Sequence, residues 1–328
     1  MGMSVLLDVK NLKKHFPVKE GLLKKSSSII HAVDGVSFNV LDGETFGLVG
    51  ESGCGKTTLA RVILRLIEPT AGEVSFLGND IFKLNRNEIR ELRSEMQIVF
   101  QDPFASLNPR KRIGQILSKP FKIHTKMGKD EIERRVLSLI ESVGLTPASS
   151  YINRHPHEFS GGQRQRIGIA RAMALQPKFI IADEPISSLD LSIRANIINL
   201  MKKFQREMGI SYLFITHDLS IVRSICNRVA VMYLGKIVEL AEVNELFNNP
   251  FHPYTKALLS ATPVPDPVLS RSRKKEIIEG EVASPIDPPS GCRFHPRCPF
   301  STPTCSSVEP ELVDIKDSHF VACYLSAV

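Results

Sequence analysis

Nine consecutive residues, Gly50-Glu51-Ser52-Gly53-Cys54-Gly55-Lys56-Thr57-Thr58, have the types and spacing to hold a chain of phosphates. They fit G-x-x-x-x-G-K-[ST] at every fixed position. Gly50, Gly53 and Gly55 let the backbone close around an anion because no Cβ blocks the approach. The loop amides then point inward, at the positive end of the dipole of the helix that follows. Lys56 adds a full charge toward the β- and γ-phosphates, and Thr57 offers a hydroxyl to Mg²⁺. This chemistry is that of a nucleoside triphosphate.

A second cradle lies more than 100 residues further on. Phe159-Ser160-Gly161-Gly162-Gln163-Arg164-Gln165-Arg166 opens onto a helix-like run from Ile167 to Leu175. A serine–glycine–glycine opening to a helix binds anions for the same dipole and amide reasons. Well-separated loops of one monomer do not both cradle one γ-phosphate unless the chain folds back. The simplest geometry is two chains head to tail, each completing the other's site.

Between and beyond the cradles lie polar residues at the ends of apolar runs. Phe179-Ile180-Ile181-Ala182-Asp183-Glu184 is an apolar strand closed by two acids. Asp183 is placed to hold Mg²⁺, and Glu184, one residue on, to polarise a water for attack on the γ-phosphate. Ile98-Val99-Phe100-Gln101 ends a strand on a glutamine. Ser187-Ser188-Leu189-Asp190 makes a turn that can reach a partner chain. His217 follows the buried run Ile210–Thr216, at the strand end where α/β sheets bind ligands.

The elements needed to position these groups are those of an α/β domain. Phe46–Val49 reads as a buried strand and Leu59–Arg65 as a helix, the context a phosphate loop requires. Val5–Lys10 alternates weakly and reads as an edge strand. Residues 17–28, with Lys24-Lys25-Ser26-Ser27-Ser28, read as an exposed loop. Ile29–Val40 resumes strand character, Asp42-Gly43 makes a turn, and Glu73–Leu77 is another short strand. Asn87–Met96 is helical and charged. Residues 110–175 are mostly helical, with Ile132, Val136, Ile140 and Val143 on one face and Gly144 suited to the C-terminal cap. This block, about 105–175, reads as a helical subdomain inserted in the α/β domain. Two short strands around Gly235 and two short helices, Asn244–Phe247 and Thr255–Ser260, complete it.

From Pro263 the composition shifts to proline and to the basic run Arg271–Lys275, which places a domain boundary near 262 and an extension over 263–328. That tail has few large apolar residues and needs a staple to fold. Four of the six cysteines, Cys292, Cys298, Cys305 and Cys323, lie there and supply one. In a reducing compartment such a cluster suggests metal. The spacings match neither the tight C-x₂-C pairs of common zinc sites nor the usual ferredoxin runs, so zinc and iron–sulfur both stay open. The tail lies beyond the ATP-binding core, so its metal is not expected to enter hydrolysis. The chain of 328 residues, 42% hydrophobic and 23% charged, is that of a globular protein with a full core. No apolar run has the length of a membrane span, and the N-terminus lacks the pattern of a signal peptide, so a cytoplasmic location is expected. The net charge of +7 reads as diffuse surface lysine.

Taken together, Gly50–Thr58, Gln101, Ser160–Gln163, Asp183-Glu184, Ser187–Asp190 and His217 occur in the order of an ABC-transporter ATPase, and the chain resembles that family over about residues 4–325. More narrowly, it resembles the ATP-binding subunits of bacterial dipeptide/oligopeptide importers. Three stretches carry this narrower likeness: Phe100–Pro109, Asn249–Thr255 and Leu259–Pro263. The resemblance implies an α/β phosphate-loop ABC ATPase core with an antiparallel β subdomain, an inserted helical subdomain and a small cysteine-rich C-terminal extension. It implies that Phe16 stacks on adenine and that Ser52, Gly53, Cys54, Gly55, Lys56, Thr57 and Thr58 bind the phosphates. Thr57, Gln101 and Asp183 are then ligands of Mg²⁺. Ser160, Gly161, Gly162 and Gln163 face the γ-phosphate held by the opposite subunit, Asp190 crosses the dimer interface, and His217 grips the γ-phosphate. Glu184 activates the water. The family's cysteine tail holds a [4Fe–4S] cluster. Implied partners are a second ATP-binding subunit, identical or paralogous, two transmembrane permease subunits and, indirectly, an extracellular solute-binding protein. The implied place is the cytoplasmic face of the membrane, with no nucleic acid bound. Import of nickel or another small solute, and a soluble ABC ATPase acting on nucleic acid, are the alternatives.

Overall fold

The computed structural model describes residues 4–19, 27–262, 280 and 283–327. Along the chain run β1 (Val5–Lys19), β2 (Ser27–Leu41), β3 (Thr45–Val49), α1 (Lys56–Ile63), β4 (Ala71–Phe76) and β5 (Asn79–Asp80). Next come α2 (Arg86–Glu95), β6 (Met96–Val99), α3 (Pro103–Ser106), α4 (Ile113–His124), α5 (Lys129–Ser142) and α6 (Gly161–Met173). They are followed by β7 (Phe179–Asp183), α7 (Leu191–Met208), β8 (Ser211–Thr216), α8 (Leu219–Ile225), β9 (Arg228–Tyr233) and β10 (Lys236–Glu242). The chain closes with α9 (Val243–Asn248), α10 (Pro253–Ala261), α11 (Pro303–Ser307), β11 (Val313–Lys316) and β12 (His319–Val321). Two compact units emerge: residues 1–41, 45–82 and 215–328, and residues 42–44 and 83–214.

The first unit carries an antiparallel sheet in the order β2-β1-β4-β5. β1 is therefore an inner strand, not the edge strand its weak alternation suggests. The reason lies in its register. Register shifts between Val5 and Leu7 and between Val9 and Leu12 put an extra residue on β1 and turn the side chains that follow to the opposite face, and two more, between Leu12 and Lys13 and between Lys14 and His15, put the extra residue on β2. The strand nonetheless buries Leu7, Val9 and Leu12. β1 and β2 also extend into the expected 17–28 loop, at Pro17–Lys19 and Ser27–Ser28; residues 20–26 lie outside the described residues. The same unit holds β3, paired in parallel with β9, and the antiparallel neighbours β9, β10, β12 and β11.

This last series changes the picture of the tail. The sequence sets 263–328 apart from 1–262, and the basic run Arg271–Lys275 lies outside the described residues. The described tail belongs to the first unit. β12 adds to the free edge of β10 at Glu239↔Val321 and Leu240↔Phe320. Phe294 is 1% exposed in a core shared with Val49, Val231, Tyr233, Leu246 and Tyr254. Burying a side chain of that size is worth about 1.5–3 kcal/mol. Too short to bury its own few apolar groups, the tail buries them against the neighbouring sheet.

The second unit carries β6 paired in parallel with β7, and the helices of the insertion. α2 starts at Arg86 because Asn85 and Glu88 form a capping box; Met96, expected in the helix, opens β6. α5 buries Ile132, Val136 and Ile140, and Gly144 turns the chain at φ +78° just after its C-cap, Val143. α7 ends on Gly209 in the left-handed conformation.

Candidate functional site

In the first unit all five residues of β3 are buried, and the loop Gly50–Gly55 leads from it into α1. Two glycines are there because backbone comes too close for any other residue. A Cβ at Gly55 (φ +110°) would lie 2.0 Å from the Ala32 carbonyl oxygen, and one at Gly50 2.1 Å from that of Met232. Lys56 is buried, and its ammonium donates to the carbonyl oxygens of Gly50 at 2.7 Å and Glu51 at 2.9 Å. The charge is thereby fixed over the loop rather than free to swing into solvent. The Cys54 thiol is buried at 3.6 Å from the same ammonium, and burial pushes it up. Ser52 and Gly53 are exposed, Thr57 and Thr58 half-buried. Phe16 is half-buried on β1 with the Lys14 ammonium 4.9 Å from its ring centre, so it is not a core aromatic. His217 is exposed at the end of β8, and the next residue, Asp218, caps α8 by accepting from the Ser220 amide at 3.0 Å.

In the second unit Gln101 and Glu184 meet. The Gln101 Nε2 donates to Glu184 Oε2 at 2.9 Å. Glu184 stands at φ +46°, a backbone conformation that disfavours residues with a side chain and recurs at functional sites. Ser187 holds it there, its amide and hydroxyl both donating to the Glu184 carbonyl at 3.3 and 3.1 Å. Asp183 is buried at the end of β7. Ser160 is the N-cap of α6: its hydroxyl accepts from the Gln163 amide at 3.3 Å, and Gln163 Oε1 accepts from the Ser160 amide at 3.0 Å. Gly162 faces α7, where a Cβ would lie 2.7 Å from Ile193 Cγ2. Asp190 is exposed at the start of α7.

Sequence reasoning missed how the Gln101 segment is tied to α6. The Arg164 guanidinium of α6 sits 3.6 Å from the centre of the Phe104 ring. Phe104 is 60% exposed, so the ring is a lid on the cation rather than core. The pattern that could have suggested it is the aromatic three residues after Gln101 and the arginine four residues after Ser160.

The four tail cysteines line one small cavity with Phe294, Phe300 and Tyr324. Burial pushes the Cys292 thiol up to about 11, with backbone bonding to Phe294 opposing it, and raises Cys298 and Cys323 as well. Among the described residues, the set of three His, Cys, Asp or Glu ligand atoms lying within 4.8 Å of one another is His15, His31 and Asp34; no three of the tail cysteines form such a set. Two cations, Arg293 and Lys236, already flank Asp34. Burial raises the Asp34 carboxyl, but the His15 hydrogen bond and those charges outweigh it and hold it at about 2.

Residues 33–187 match the ABC transporter family, and residues 238–305 match the family described as oligopeptide/dipeptide transporter, C-terminal region. The chain is 51% identical over 325 residues to the oligopeptide transport ATP-binding protein AppF of Bacillus subtilis, covering 99% of this chain and 98% of that one. It is 51% identical over 322 residues to the oligopeptide transport ATP-binding protein OppF of Salmonella typhimurium, covering 97% and 96%. Among solved structures it is similar to the dimeric ATP-binding cassette MJ0796 in a post-hydrolysis state bound to ADP and Pi, with a TM-score of 0.64, 29% identity, and coverage of 73% of this chain and 99% of that one. The chain belongs to the ABC-transporter ATPases, in the branch of the oligopeptide transport ATP-binding proteins, and is an enzyme that hydrolyses ATP to power transport.

Proposed function

We propose that this ATPase drives import of di- and oligopeptides as one of two ATP-binding subunits at the cytoplasmic face of a membrane, bound to two permease subunits that receive solute from an extracellular binding protein. The observation that carries the peptide reading is the end-to-end match with oligopeptide transport ATP-binding proteins, which includes the C-terminal region. Among the described residues no helix is long and apolar enough to cross a membrane.

The residue roles follow from the motifs and are supported by the geometry within each unit. Phe16 offers an aromatic face to adenine. Gly50–Thr58 cradle the phosphates, with Lys56 held ready by the loop carbonyls. Thr57, Gln101 and Asp183 are the residues to hold Mg²⁺, which neutralises phosphate charge when bound. Glu184 accepts a proton from the attacking water, and the hydrogen bond from Gln101 orients the carboxylate that does so. His217 contacts the γ-phosphate. Ser160, Gly161, Gly162 and Gln163, with Asp190, act on the nucleotide held by the other subunit, to which Ser160 brings the capped N-terminus of α6. ATP bridging two subunits favours the closed pair, and loss of the γ-phosphate releases it, in proportion to the difference in affinity of the two states.

The tail is assigned a [4Fe–4S] cluster held by Cys292, Cys298, Cys305 and Cys323. Four thiols around one cavity are a fitting donor set. The cluster is structural: it supplies cross-links to a segment with little core of its own.

The test is reconstitution of the native membrane complex in vesicles. ATP-dependent uptake of a labelled peptide, competed by other peptides and not by nickel, supports the assignment; uptake of another solute with no effect of peptides overturns it.

A further inference from the structure

We propose that Arg297, a residue of the cysteine-rich tail, is a positioning residue for the phosphate loop and acts through Glu51. The inference rests on the reading of Gly50–Thr58 as the ATP-phosphate loop and adds to it a contact that no motif contains.

Glu51 occupies the first variable position of the loop. Its backbone is fixed on both sides: the amide donates to the Tyr254 hydroxyl at 2.9 Å, and the carbonyl accepts from the Lys56 ammonium at 2.9 Å and from the Cys54 amide at 3.3 Å. Its side chain is gripped by Arg297 in a two-pronged pair, Nη1 to Oε2 at 3.1 Å and Nη2 to Oε1 at 3.4 Å. The Arg297 side chain is 8% exposed and that of Glu51 25% exposed, so the pair is largely shielded from screening. Arg297 Nη1 also donates to the Tyr233 hydroxyl at 3.4 Å. Tyr233, Tyr254 and the tail's Phe294 pack ring against ring at 4.7–5.5 Å and form the floor under this contact.

The charges explain why such a grip matters. A carboxylate on a loop that must receive polyphosphate opposes its ligand. Arg297 neutralises that carboxylate and turns it away in a fixed geometry. Removing Arg297 therefore does two things: it frees the loop's first turn and leaves an unpaired negative charge beside the incoming phosphates. Removing the Glu51 charge does only the first. The short turn His295–Arg297 is set between Cys292 and Cys298, so the order of the cysteine site is passed to the loop through this one side chain.

The experiment is a double-mutant cycle on the full-length subunit in its transporter, reading KM for ATP, kcat, and nucleotide affinity by titration. Arg297→Gln is expected to raise KM and Kd for ATP roughly tenfold, with kcat changed less than about threefold. Glu51→Gln is expected to raise them by about twofold. The double variant is expected to resemble Glu51→Gln, because without the carboxylate the arginine has nothing to neutralise. Equal losses from Arg297→Gln in the parental and Glu51→Gln backgrounds, or parental KM and Kd in Arg297→Gln, overturn the proposal. If Arg297→Gln does not fold, the cycle is run with Arg297→Lys, which keeps the charge and loses the fork; a rise of about threefold is expected and an unchanged KM overturns the proposal. Lys56→Ala serves as the reference: unchanged ATP affinity there sinks the loop assignment itself, whereas its loss together with a silent Arg297 sinks only the clamp.

Discussion

Gln101 and Glu184, 83 residues apart in the chain, are joined by a 2.9 Å hydrogen bond from amide to carboxylate, with Glu184 at a backbone conformation of φ +46°. A carboxylate held at a fixed angle is a better proton acceptor for one particular water than a mobile one. On the role proposed for Glu184, the same bond gives Gln101, two residues beyond β6, its bearing on hydrolysis.

Glu184→Gln is therefore expected to cut ATP turnover at least about 100-fold while leaving nucleotide affinity within about twofold, since an amide cannot take the proton and the phosphate cradles are untouched. ATP is expected to trap a stable dimer of the variant, seen by size-exclusion chromatography. Turnover at the parental rate removes Glu184 from its role.

Lys56→Ala acts at the other end of the reaction. Two contacts to the loop carbonyls and the charge toward phosphate are lost together. Hydrogen bonds to charged groups contribute on the order of 1.5–3 kcal/mol each, which predicts a loss of ATP affinity of at least about tenfold. Calorimetry on the purified subunit measures it directly, and equal heats and affinities for variant and parent contradict it.

For the tail, anaerobically purified protein is expected to contain four irons per chain and to absorb in the visible, and Cys305→Ser to lose both. Stoichiometric zinc without colour shows the assignment wrong. The sequence alone suggests that ATP binding is untouched by such a change. Arg297 lies one residue before Cys298, and the clamp proposed for its contact with Glu51 predicts an effect instead. Cys298→Ser is expected to weaken ATP binding severalfold, less than the roughly tenfold expected of Arg297→Gln.

His252 predicts an acid sensitivity. It is 1% exposed, its Nδ1 accepts from the Tyr254 amide at 3.1 Å to cap α10, and its own amide donates to Glu239 at 2.9 Å. Burial lowers its pKa to about 4, with the Glu239 charge opposing. The unfolded chain binds a proton near pH 6.5 that the folded chain refuses until about pH 4. Stability from this group is complete above about pH 6.5 and is lost as pH falls toward 4, by up to about 3 kcal/mol at 1.36 kcal/mol per pH unit. His252→Asn keeps an acceptor for the cap and does not titrate. The difference in denaturation midpoint between parent and variant is expected to change with pH across 4–6.5; a constant difference contradicts the assignment.

The chemistry of this protein was legible in its sequence because each group sits where local geometry alone demands it. Gly55 must be glycine where the loop turns into α1 and meets Ala32, Ser160 must cap α6, and Glu184 must follow the last residue of a buried strand. Such demands are met within a few residues and leave fixed spacings. Pairings across the chain leave no spacing. β1 is inner because it pairs with both β2 and β4, and it reads as an edge strand because register shifts, the first between Val5 and Leu7, scramble the alternation that marks a buried strand. Arg164 against Phe104, Gln101 against Glu184 and Arg297 against Glu51 are matches between residues that are individually ordinary on any surface. The tail shows the division most plainly. Its four cysteines stand out by composition alone. Only the free edge of β10 and the shared burial of Phe294 make it part of the unit that carries the phosphate loop, because a segment too small to bury its own apolar surface takes its partners from whatever sheet lies beside it.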